Sequence, residues 1–173
     1  MRRKSSKFAT TALLGALVTT AIFLPSAQAA TPNITAAQKA QLIYIIQEEK
    51  LARDVYTALA AKGYSQKFGN ITSSEQTHMN LVAGLLKTYG IANPTTGLKP
   101  GVFKDKTLTA LYAKIMSTAT KSSADAIAAG VLIEKTDIAD IEKMLKLYTQ
   151  ADIKSVLNSL LSGSQKHLAA FSR

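Results

Sequence analysis

The sequence predicts an all-α fold: a four-helix bundle with a long crossover and one extra short helix between the second and third core helices. Three observations carry this reading. Apolar residues recur at spacings of three and four along four long segments. Alternating strand patterns and Asn-Gly or Asp-Gly hairpin turns are missing. Proline and glycine gather between Ile91 and Lys106, where Pro94, Gly97, Pro100 and Gly101 mark an irregular connection.

Before the first helix comes a leader. Arg2, Arg3, Lys4 and Lys7 make a basic start, Thr11 to Pro25 an apolar run, and Ala27-Gln28-Ala29 a small-x-small cleavage pattern. This reads as a secretory signal peptide over residues 1–29, with a single helical domain over 30–173. The apolar run is shorter than the roughly 20 residues a spanning helix needs. No transmembrane span is therefore expected after cleavage, and the expected location is periplasmic or secreted. Arg2-Arg3 faintly suggests a twin-arginine signal, although Lys4 and Ser5 match it poorly.

Thr35 can cap a first helix from about Ala36 to Ala61, with Gly63 as its stop. Its stripe is Leu42, Ile45, Glu49, Ala52, Tyr56 and Leu59, while Glu48 points about 100° away. Ser73 or Ser74 caps a second helix to about Tyr89, stopped by Gly90, with the stripe Glu75, His78, Val82, Leu85 and Tyr89. After the crossover comes a short amphipathic helix, Leu108 to about Ala119. Ser123 caps the third long helix, about Ala124 to Tyr148, whose stripe holds Ile127, Val131, Glu134, Ile138, Ile141 and Leu145. Asp137 lies one turn beyond Glu134. The last helix, about Asp152 to Phe171, carries Ile153, Leu157, Leu160, Ser164, His167 and Phe171. Gly163 weakens it by about 1 kcal/mol relative to alanine, and its missing side chain leaves room for another group to come close.

Composition narrows the chemistry. The chain has no cysteine, which excludes iron–sulfur clusters, thiolate zinc and thiol catalysis. An exported domain without disulfides depends on its core or on a metal. The formal net charge of +10 falls to +6 once the four basic leader residues are set aside. The remaining lysines are spread singly along helix faces without stacking aromatics, which argues against a nucleic-acid partner.

Both histidines of the chain, His78 and His167, fall on apolar stripes, and so do Glu49, Glu75 and Glu134. Burying a lone carboxylate costs several kcal/mol, so several on facing stripes call for a common partner, and a metal ion is the most economical one. Residues at i and i+3 share a helix face, so Glu75-x-x-His78 can offer a carboxylate and an imidazole to one ion. Dinuclear sites in bundles use a Glu from each of two helices and a Glu-x-x-His from each of the other two. Here the fourth helix has Ser164 where the second such glutamate belongs. Asp137 can replace it from the third helix, the site can hold one ion, or it can have lost its metal. The candidate ligands are Glu49, Glu75, His78, Glu134, Asp137 and His167. Imidazole with carboxylate suits iron first, manganese or zinc next.

The run Glu49-Lys50-Leu51-Ala52-Arg53-Asp54-Val55-Tyr56 resembles the first-helix motif of rubrerythrin-type ferritin-like proteins, and Glu75-Gln76-Thr77-His78 resembles their second-helix motif. Together with Glu134 to Asp140 and Gly163-Ser164-x-x-His167, the chain is similar to an uncharacterised ferritin-like family known only as a domain of unknown function. The resemblance implies a ferritin-like bundle with metal ligands at Glu49, Glu75, His78, Glu134 and His167, and Asp137 as a further candidate. It implies no activity. Ser164 belongs to that family's own pattern.

The reading is thus an exported metal-binding bundle, mono- or dinuclear, with metal-centred oxidation as its candidate chemistry and a homodimer left open. The rival is a non-catalytic envelope module whose buried polar residues form a network fixing helix register. Storage inside a closed shell is a third, weaker reading. On the bland side, Arg53 is the expected base for Glu49 if no metal binds. Tyr56 reads as core packing with its hydroxyl on a carboxylate, and Asp54, Asp140 and Glu142 read as solvated flanks.

Overall fold

The computed structural model describes residues 33–173, and among them every regular element is helical. The signal peptide expected over 1–29 lies outside the described residues. Helix α1 (Ala36–Ala61) opens with a capping box in which Thr35 and Gln38 each accept the other's backbone N–H. Helix α2 (Gln66–Thr88) starts at Ser65, whose hydroxyl accepts from Lys67 N. That is about two turns earlier than the sequence suggested. Gly69 and the polar residues around it look like loop, but Phe68 and Ile71 are buried and extend the apolar face backwards.

Asp105 caps α3 (Lys106–Ala119) by accepting from Thr107 N and Leu108 N. Ser122, one residue before the expected cap, starts α4 (Ser123–Leu147). Helix α5 (Ala151–Phe171) follows without a side-chain cap. Helix α1 packs on α2 and α4, and α5 packs on α2 and α4, so these four close a ring; α3 lies against α1 and α4. The architecture is a helical bundle. No helix among the described residues is long and apolar enough to cross a membrane.

Two apolar clusters fill the interior. One holds Leu42, Ile45, Val82, Leu86, Ile141 and Leu157. The other holds Val55, Tyr56, Phe68, Ala126, Ile133 and Phe171. Between them on every core helix lies a stretch with buried polar residues: Glu49 on α1, Glu75 and His78 on α2, Glu134 and Asp137 on α4, Ser164 and His167 on α5. The apolar stripes set the helix register, and that register brings these residues to one level of the bundle.

The crossover is tied to α1. Lys50 Nζ, fully buried, donates to Asp54 and to Lys99 O, and Asp54 Oδ2 also accepts from Gly101 N at 2.9 Å. Gln47 Oε1 accepts from Asp105 N at 3.0 Å. Gly101 has φ +73°, and a Cβ there would stand 2.5 Å from the Tyr112 ring, so only glycine suits this turn. Asp54 is therefore no solvated flank: it is 3 % exposed, because the crossover covers the face of α1 that periodicity assigns to water.

Candidate metal centre

Four helices contribute to the polar layer, and five of the six expected ligands meet in it. Glu75 and His78 stand one turn apart on α2, so both face the same interior point. His78 Nδ1 lies 2.9 Å from Glu75 Oε2 and 3.1 Å from Glu49 Oε2. His167 Nδ1 lies 2.8 Å from Glu75 Oε1 and 3.5 Å from Glu134 Oε1. Two sets of three result, Glu49/Glu75/His78 and Glu75/Glu134/His167, all buried, with ligand atoms in each within 4.8 Å of one another. Glu75 belongs to both and turns a different oxygen to each histidine. The two imidazole rings stack 5.6 Å apart. Bonds of about 2.0–2.2 Å put two ligand atoms on one ion at most about 4.4 Å apart, and the separations of 2.8–3.5 Å fall inside that range.

Unpartnered atoms test whether an ion suits this donor set. Glu49 Oε1, Glu75 Oε1 and His167 Nδ1 are buried without a hydrogen-bond partner. The 2.8 Å approach of His167 to Glu75 therefore lacks the direction of a hydrogen bond. A buried polar group left this way costs about 1–3 kcal/mol. An ion in each set, accepting lone pairs from these atoms, would remove that cost, and carboxylate with imidazole is the donor chemistry of iron, manganese or zinc.

Neighbouring side chains hold these carboxylates and imidazoles in place. Tyr56 OH donates to Glu134 Oε1 at 2.7 Å, and its ring packs against Phe68 and Phe171. Ser74 Oγ sits 3.0 Å from His167 Nε2, which orients the ring. A Cβ on Gly163 would stand 2.3 Å from His78 Nε2, so the glycine expected to admit a close neighbour admits His78.

The electrostatics reflect crowded acids in a dry layer. Burial pushes Glu49 well above the usual carboxyl range, with Asp137, Glu75 and Glu134 adding to it. Glu134 is also raised, chiefly by burial. Burial would raise Glu75 too, but His167 and His78 outweigh it and draw it down to about 2. His167 is disfavoured as a cation by burial, yet Glu134 and Glu75 carry it up to about 9. Tyr56 is raised well above its ordinary value by burial and by Glu134.

Asp137, the sixth expected ligand, stands outside both sets. One of its oxygens accepts from Ser164 Oγ, and Oδ1 has no partner. The residue occupying the place of the missing glutamate thus holds a carboxylate that arrives from the neighbouring helix α4. Arg53 does not serve Glu49; it bonds Asp54 and Gln76.

Two openings reach the layer. A groove between α2 and α5, lined by Ser74, Thr77, Ser159, Lys166 and both histidines, is polar. A cavity of about 270 Å³ between α1, α3 and α4 is walled by Leu51, Leu108, Leu111, Ile115 and Ile133. Glu75, Glu134, Asp137 and Glu48 also border it. Sequence periodicity offers no sign of Glu48, which lies off the stripe; only the packing of α3 over α1 and α4 encloses it.

Comparison with known proteins adds the fold and the family pattern. The profile of an uncharacterized protein domain, DUF2202, matches residues 38–173. Uncharacterized protein MJ0754 of Methanocaldococcus jannaschii is 44% identical over 140 residues, 81% of this chain and 76% of its own. The crystal structure of hypothetical protein MJ0754 superposes with a TM-score of 0.78 at 43% identity, covering 81% of this chain and 80% of that one. A conserved hypothetical protein, rv2844, from Mycobacterium tuberculosis shares the fold alone, with a TM-score of 0.60 at 16% identity over 82% of this chain and 98% of that one.

Proposed function

The chain belongs to the DUF2202 family, and from its buried site we propose that it is a ferritin-like bundle holding two transition-metal ions, with iron favoured. The observation that carries the proposal is Glu75, whose two oxygens each approach a different histidine. The ring of four long helices, with its crossover between α2 and α4, supports the ferritin-like part.

In this reading Glu49 and His78 would help hold one ion and Glu134 and His167 the other, with Glu75 common to both sets. Bound iron supplies one-electron redox chemistry, and oxidation by dioxygen or peroxide is the reaction class it suits. Tyr56 keeps its phenolic proton and fixes Glu134 through it; Ser74 fixes the ring of His167. The polar groove, with its hydroxyls and both imidazoles, is the route for a hydrated ion, while the apolar wall keeps water from the opposite face.

The rival, a register-fixing polar network, draws on the bonds formed without any ion: His78 to Glu49 and Glu75, Tyr56 to Glu134, Ser164 to Asp137. Against it stand the unpartnered atoms, because a network that stabilises needs every member satisfied. The two readings part on chelation, which leaves the melting temperature alone only in a pure network.

Anaerobic reconstitution with Fe(II), followed by metal analysis, tests the proposal. Near two ions per chain are expected, with at least half lost in His78→Ala and nearly all in Glu75→Gln. A stoichiometry near zero that His78→Ala leaves unchanged defeats it. Export to the periplasm or beyond rests on the leader pattern, and N-terminal sequencing of the cell-derived protein is expected to begin at Ala30.

A further inference from the structure

The cavity between α1, α3 and α4 is larger than any ion needs, and its apolar walls offer no ligands. At about 270 Å³ it exceeds an apolar cavity of roughly 150 Å³ that holds benzene, so roughly ten non-hydrogen atoms fit. Its border is chemically two-sided. Leucines and isoleucines of α1, α3 and α4 make half of it. Besides Ala52 and Thr136, the remainder is acidic and includes two buried oxygens without a hydrogen-bond partner, Asp137 Oδ1 and Glu48 Oε2. Asp137 is 8 % exposed and already fixed through its other oxygen by Ser164.

A purely hydrocarbon occupant leaves both oxygens unpartnered. A hydroxyl brings a single donor. An ammonium brings three donors and a charge that favours the ionised form of any carboxyl it meets, and an attached hydrocarbon body matches the leucine and isoleucine walls. We infer that this cavity is a binding site for a small primary amine. Its ammonium meets Asp137 and Glu48, and its hydrocarbon lies against Leu51, Leu111, Ile115 and Ile133. Occupancy needs no metal ion; that the amine then lies beside the ion's carboxylates Glu75 and Glu134 rests on the metal reading above.

Ligand-observed NMR of the purified protein with 2-phenylethylamine tests this, using propylbenzene, of the same shape without the ammonium, as control. The amine is expected to bind at least tenfold more tightly. Asp137→Asn and Glu48→Gln should each erase most of that preference while leaving propylbenzene within twofold. Leu111→Phe, and Ile133→Phe in case the first is accommodated, should weaken both ligands at least tenfold. Equal affinity for the two ligands overturns the ammonium assignment. Amine binding untouched by both fillers, or abolished by chelation in the unaltered protein, overturns the cavity assignment. Iron content of Leu111→Phe, expected to equal that of the unaltered protein, reports on the metal reading separately.

Discussion

Asp54 and Glu49 lie five residues apart on α1, both almost wholly out of solvent, yet their surroundings differ atom by atom. Asp54 Oδ1 accepts from Arg53 Nε and Nη2, and Oδ2 accepts from Lys50 Nζ and Gly101 N. Nothing more is needed there. Glu49 Oε2 shares a histidine with Glu75, and Glu49 Oε1 has no partner. The first cluster is complete within the chain and joins the crossover to α1. The second is left incomplete by the chain's own groups. A buried charge is tolerated when its own protein finishes its coordination, and the unfinished one is the feature on which the metal proposal rests.

This contrast predicts opposite mutational behaviour. In the closed cluster, Lys50→Ala leaves Asp54 with a weakened set of partners in a dry site and is expected to cost about 3–5 kcal/mol. Urea denaturation should give the same penalty with and without chelator. A penalty that grows when metal is removed makes the two clusters one system and ends the distinction.

At the open cluster, Gly163→Ala drives a Cβ into the His78 ring. Overpacking costs about 1–3 kcal/mol, offset in part by about 1 kcal/mol from replacing a helical glycine. The stability loss should be small and the loss of Fe(II) uptake large. Gly84→Ala, at an exposed helical position with nothing near the new Cβ, serves as control. It is expected to stabilise by about 0.5–1 kcal/mol and leave uptake unchanged.

The smallest effect is in pH. Burial, the largest cause in each case, raises Glu49, takes Glu48 to about 9 and takes Asp137 to about 8. Such groups hold protons in the fold that the unfolded chain releases near pH 4, so stability rises as pH falls through their folded values. His167, raised to about 9 against the pull of burial, contributes stability present below about pH 6.5 and lost towards 9. Glu75, lowered to about 2, contributes stability present above about 4.5 and lost on acidification through 2. The chelated protein should therefore melt higher at pH 5 than at pH 9, by on the order of 5 °C, and lose ground below pH 4. Differential scanning calorimetry with Fe(II) present should show this slope flattened, because ligands must deprotonate to bind. Identical slopes with and without Fe(II) leave the open cluster indistinguishable from the closed one.

Much of this was legible before any coordinates. The three-and-four spacing that places Glu49, Glu75, His78, Glu134 and His167 on stripes is a geometric property of helices, and facing stripes in a bundle must meet. Gly163 was legible for the same reason, since it adjoins the stripe residue Ser164. What escaped depends on segments without a period. Asp54 is buried by Lys99 to Gly101, an irregular stretch whose path no pattern encodes. Glu48 does point away from Glu49, but α3 covers that direction and turns solvent into a cavity wall. The early start of α2 was hidden because Ser65 precedes a polar turn in which only Phe68 and Ile71 betray a buried face.

Glu75 gives one planar carboxyl group to two neighbouring sets of donors. Any rotation that improves its fit to one changes what it presents to the other. Under the two-ion proposal, loading of the two sets would be thermodynamically linked: whatever filling the first does to the affinity of the second, filling the second does in equal measure to the first.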